Sequence, residues 1–132
     1  MGLLWVVACL NVQGPVQSSG SVQGSTAAST GVYTEAQAAR GKDIFASICG
    51  GCHNISSQSG TPFAKRWNGV AVSELLGVLT ETMPKDDPGS LAPNERIDVI
   101  AYLLKINGLA AGTVQLPADP EALKKIVIDV IK

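Results

Sequence analysis

The sequence predicts a small all-α domain, and three observations carry that expectation. Apolar residues recur at three- and four-residue spacing in four separate stretches. Helix-start signals precede three of them: Thr34-x-x-Gln37, Pro93 with Glu95, and Asp119-Pro120-Glu121. Only 5% of the 132 residues are aromatic, thin for a core of this size, so the helices are expected to enclose some other flat apolar group. The length allows one domain with a tail or two.

Every charged residue, ten Lys or Arg and eleven Asp or Glu, lies at Glu35 or later. Residues 1–10 read as a signal or the remnant of a lipoprotein signal. Gly2 to Ala8 is apolar but far shorter than the roughly 20 residues of a membrane span, and it lacks the positive start of a secretory signal. Val6-Val7-Ala8-Cys9 resembles a bacterial lipobox, which makes Cys9 a lipidation candidate; alternatively, Cys9 belongs to a signal peptide that is later removed. Residues 11–31 are rich in Gly, Ser, Gln and Val. They bury too little apolar area to offset their ordering entropy, so a flexible linker is expected. The folded domain is then residues 32–132, including a C-terminal tail helix.

Within that domain, Thr34-x-x-Gln37 starts a helix whose Ala38, Gly41, Phe45 and Ile48 share one face. Gly41 costs about 1 kcal/mol there relative to Ala, which makes sense if another backbone crosses closely. Residues 54–71 hold many loop formers and little periodicity, with Trp67 standing out among them. Val72–Thr80 reads as a short helix with Ser73 as N-cap and Val72, Leu75, Leu76 and Leu79 on one side. Pro84 disfavours helix at Met83, so Met83 is expected in extended backbone, with an exposed turn after it at Asp86 to Gly89. A last long helix starts at Pro93, with Ala92 a weak N-cap, carries Ile97, Ile100, Ala101 and Leu104 with Tyr102 beside them, and stops at Gly108. It is expected to cross the Gly41 helix. After Asp119-Pro120-Glu121, Leu123, Ile126, Val127, Val130 and Ile131 form a helical stripe; the rival is a short strand at Ile126 to Ile131, because that run is β-branched.

The chemistry is concentrated in Cys49-Gly-Gly-Cys52-His53. Two thiols one turn apart, with an imidazole immediately after them, suit covalent attachment of one haem through thioethers, with His53 taking the iron. His53 is the only histidine, and Met83 the only methionine besides the initiator, so Met83 is the candidate sixth ligand. Trp67 reads as a core or haem-edge aromatic; its indole N–H and the neighbouring Arg66 are candidates for binding a buried propionate. A zinc site would need all of Cys9, Cys49, Cys52 and His53, which would draw the signal-like start into the fold. A thioredoxin-like pair would want a strand before the motif, where the pattern is helical. A net charge of −1 with interspersed signs argues against nucleic acid.

CxxCH after a Gly/Phe helix, a Met-Pro about thirty residues on, and a closing helix with an aromatic resemble the class I c-type cytochromes. The run Thr82 to Leu91, together with the later Ile100-Ala101-Tyr102-Leu103-Leu104-Lys105, is similar to bacterial periplasmic cytochromes that take electrons from quinoprotein dehydrogenases. The resemblance covers residues 34–110 and implies one haem c bound through Cys49 and Cys52, with His53 proximal and Met83 distal. It implies a periplasmic electron carrier rather than an enzyme, free, tethered to a membrane through Cys9 or a subunit of a larger dehydrogenase or oxidase, with a quinoprotein dehydrogenase as donor and an oxidase or another cytochrome as acceptor. The competing class is a haem enzyme or gas sensor with a labile Met83.

Overall fold

The computed structural model describes residues 24–130. Cys9, the signal-like start and most of the expected linker lie outside the described residues. Five helices and one two-stranded parallel sheet make up the described fold: β1 (Thr26–Ala27), α1 (Glu35–Ile44), α2 (Gly60–Trp67), α3 (Val72–Thr82), α4 (Pro93–Ile106), α5 (Pro120–Leu123) and β2 (Ile126–Val127). No described helix is long and apolar enough to cross a membrane.

Helix α1 starts where its capping box places it. Gln37 N–H donates to the Thr34 hydroxyl at 3.3 Å and Gln37 Oε1 accepts from Thr34 N–H at 3.2 Å. Its main packing partner is α4, and Gly41 sets the closeness of the crossing. A Cβ at Gly41 would stand 1.8 Å from the Asp98 carbonyl oxygen, so no side chain larger than hydrogen fits. Arg40 locks the same crossing with a two-pronged ion pair to Asp98, Nε–Oδ2 2.7 Å and Nη2–Oδ1 2.9 Å. Phe45 meets Tyr102 of α4 with ring centroids 5.6 Å apart and planes tilted by 56°, a favoured aromatic geometry. Helix α4 is buried on nearly all sides from Ile97 to Leu104. That exceeds the single stripe expected, because α1 covers one face while α3 and a cavity take the other.

Five further departures from the expectations each have a local cause. Residues 54–71 are not one loop, for a 3-10 turn at Ile55–Gln58 precedes helix α2. The loop formers Gly60, Thr61 and Pro62 occupy the first turn of α2, where amide hydrogens have no partner in the helix and proline is tolerated. Phe63 and Trp67, four residues apart, are its buried face. Ser73 does not cap α3; Ala71 holds that position, and the Ser73 hydroxyl is buried without a partner. Ile48 is 43% exposed rather than facing α4, since Phe45–Cys49 forms a π turn, whose extra residue rotates the side chains beyond Phe45 off the α1 face.

The two remaining departures lie at the ends. The C-terminal helix stops after Leu123, and the β-branched run then pairs as a strand, Thr26 with Ile126 and Ala27 with Val127. The rival strand reading therefore holds for Ile126 and Val127. The ordered domain also begins before residue 32: Ala28 is fully buried, and Asp129 accepts from both the amide and the hydroxyl of Ser29. Ile128 exchanges bonds with residues 69 and 70, Gly69 N–H to Ile128 O 2.7 Å and Ile128 N–H to Val70 O 2.9 Å. Leu116, Leu123 and Ile128 bury themselves beneath this seam, which docks the tail.

Candidate functional site

The motif leaves α1 through the π turn, closed by Gly50 N–H donating to Phe45 O at 2.7 Å. Such turns are frequent at functional sites. The chain then folds back so that both Cys52 N–H, at 3.1 Å, and His53 N–H, at 2.9 Å, bond the Cys49 carbonyl. This compact turn holds Cys49 half-buried and Cys52 exposed, with no disulfide between them, and His53 half-buried beside them. Burial pushes the Cys49 thiol up from its usual range. That is opposite to the depressed thiol of a reactive redox pair, and a helix, not a strand, precedes the motif.

A single cavity collects the predicted residues. Cys49, Cys52, His53, Arg66, Trp67 and Met83 all line it, and Phe45, Leu75, Leu79, Leu91, Val99 and Leu103 supply its apolar wall. Its volume is about 1010 Å3 when the open space at its mouth is counted. Met83 enters from α3. Its backbone is extended, φ −127° and ψ 146°, as Pro84 demands. The exposed turn behind it is fixed by Asp87 N–H to Pro84 O, 3.1 Å, by Gly89 N–H to Met83 O, 3.4 Å, and by Arg96 Nη2 donating to Gly89 O, 3.0 Å. Gly89 takes a left-handed φ of +85°, which a side chain would strain.

On the opposite flank, Arg66 sits over Trp67 with its guanidinium carbon 4.9 Å from the ring centroid, within cation–π range. Trp67 is 7% exposed, so the ring is wall and the guanidinium reaches solvent at the rim. Sequence reasoning missed Gln58, Lys85 and Asp86, which also line the cavity. Lys85 and Asp86 were legible as neighbours of the Met-Pro step. Gln58 gave no signal, for it lies in a stretch without periodicity. Among the described residues, no group of three or more His, Cys, Asp or Glu is placed to hold a metal ion, so Cys49, Cys52 and His53 do not converge as a zinc cluster would.

This donor set matches one group chemically: thiols for thioether bonds, one imidazole and one neutral sulfur for iron, and apolar walls for a macrocycle. Residues 36–103 match the family model described as cytochrome c oxidase, cbb3-type, subunit III. The chain belongs to this family of cytochrome c domains. The matched span of the cytochrome domain runs from α1 into α4, so it contains the CxxCH turn, both cavity flanks and Met83. Membership brings haem c binding and haem-based electron transfer with it. No curated protein and no solved structure gave a match.

Proposed function

We propose that this cytochrome is a periplasmic carrier that shuttles single electrons between a dehydrogenase and a respiratory acceptor. The observation that carries the reading is the convergence of Cys49, Cys52, His53 and Met83 on one apolar cavity. In it, Cys49 and Cys52 hold one haem c through thioethers, His53 offers its imidazole and Met83 its sulfur. A haem bound there supplies a one-electron iron couple. The Met83 thioether is soft and neutral, so it favours the ferrous state relative to a second imidazole. The leucine and valine wall excludes water and disfavours the extra charge of the ferric state in the same direction. Arg66, aligned by Trp67, offers a charged partner for a propionate.

With His53 and Met83 as its two protein ligands, a haem held here would leave substrate no place at the iron, which is why carriage rather than catalysis is proposed. The chain has no second histidine to serve as a distal acid or base. A net charge of −1 gives little long-range steering, so encounters with partners depend on short-lived contact at the cavity mouth. A quinoprotein dehydrogenase is the proposed donor and an oxidase or another cytochrome the acceptor; Cys9 is proposed as a lipid tether. Haem staining after denaturing electrophoresis tests the attachment. The wild-type band should keep its haem, and a variant with Cys49→Ser and Cys52→Ser should lose it. A wild-type band that sheds its haem would contradict thioether bonding.

A further inference from the structure

We propose that Gln58 is a positioning residue for His53, holding the imidazole in the tautomer that leaves the Nε2 lone pair free for iron, and that Asn107 keeps Gln58 in place. The proposal rests on the haem reading above and goes beyond it, for neither residue has a signal in the sequence. The observation is local: Gln58 Nε2 lies 3.2 Å from His53 Nδ1. A neutral imidazole carries one proton, so offering the Nε2 lone pair to iron puts that proton on Nδ1. The Nδ1–H then needs an acceptor. The two ends of a side-chain amide occupy the same space, so a half-turn of the Gln58 amide puts Oε1 where Nε2 stands, giving up the bond that Nε2 donates to Ser57 Oγ at 3.2 Å.

A long side chain can hold a ring only if its own backbone is held. Asn107, the last residue gripping the end of α4, does this from across the fold. Its Nδ2 donates to Gln58 O at 3.0 Å and to Leu103 O at 2.8 Å, while its Oδ1 accepts from Gly60 N–H at 2.9 Å. One side chain thus fastens the chain on both sides of Ser59 to α4. The tie runs from α4 through Asn107 and Gln58 to the imidazole, and ligand-bound histidines generally need such outer partners to fix ring orientation and basicity.

The consequence is a dial on the redox equilibrium. A stronger acceptor at Nδ1–H makes the imidazole more electron-donating and favours the ferric state; loss of the acceptor favours the ferrous state. The test is a redox titration of the full haem-loaded chain against a reference couple, with Gln58→Leu, Gln58→Glu and Asn107→Ala. Gln58→Leu should shift the equilibrium about tenfold toward the reduced form, which is 59 mV for one electron. Gln58→Glu should shift it the opposite way, and Asn107→Ala should shift it in the same direction as Gln58→Leu by a smaller amount. In the ferrous wild type, the Nδ1 proton seen by NMR should exchange with solvent more slowly than in Gln58→Leu. If Leu and Glu leave the equilibrium unmoved, or push it in the same direction, the assignment is wrong while the haem reading stands. A wild type without a histidine-ligated spectrum would instead bring down both.

Discussion

The two sides of the cavity are built to different standards of rigidity. On the His53 side, the motif continues directly from α1, which Gly41, the Arg40–Asp98 pair and the Phe45–Tyr102 contact lock onto α4. Asn107 and Gln58 add a second route from α4 to the imidazole. On the Met83 side, the sulfur hangs from an extended residue between α3 and an exposed turn. Four hydrogen bonds hold that turn, two of them centred on Gly89 and one from Ser90 N–H to Asp87 O at 3.2 Å. Regions with few buried contacts open first. One proposed ligand is therefore tied to the α1–α4 packing and the other to a tethered loop, so any failure of ligation should start at Met83.

The comparison breaks most completely if the loop-borne ligand is removed. Met83→Ala should abolish the iron–sulfur charge-transfer absorption of the ferric form and lower the potential, with the helical circular dichroism retained. An unchanged spectrum would assign the axial position to another residue. On the rigid side, Gly41→Ala drives a methyl to 1.8 Å from the Asp98 carbonyl. Overpacking costs about 1–3 kcal/mol, and a backbone opponent places this case at the top of that range. Gly51→Ala, whose Cβ meets nothing within 4 Å, should show no comparable loss in denaturant titrations.

A smaller effect sharpens the contrast. Arg96→Leu removes the bond to Gly89 O, a contribution of about 1 kcal/mol, and with it a buried Nε that has no partner. Global stability should therefore change little. The charge-transfer absorption, monitored on heating, should nonetheless disappear several degrees earlier than in the wild type, ahead of the loss of helix. Simultaneous loss of both signals in the variant would mean the loop has no independent opening.

The elements that position His53 were largely legible because their signals are local. Thr34 and Gln37 announce a capping box, Gly41 announces a close crossing, and Pro84 fixes the backbone of Met83. The CxxCH spacing and the one methionine besides the initiator named four cavity residues without any structure. The features that stayed hidden depended on distant partners. Helix α2 was masked because its first turn is written in loop residues, with only Phe63 and Trp67 to mark a face. The strand at Ile126 and Val127 needed Thr26 and Ala27, a hundred residues away, to prefer pairing over one more helical turn. Gln58 is recognisable only once Asn107 and His53 are seen around it.

Carbon monoxide added to the reduced, haem-loaded wild type asks most directly whether His53 and Met83 share one iron. The spectrum should stay unchanged at neutral pH, because His53 and Met83 would together leave no open position at the iron. Ready formation of a carbonmonoxy spectrum would show an open coordination position and turn the protein from a carrier into a haem enzyme or gas sensor.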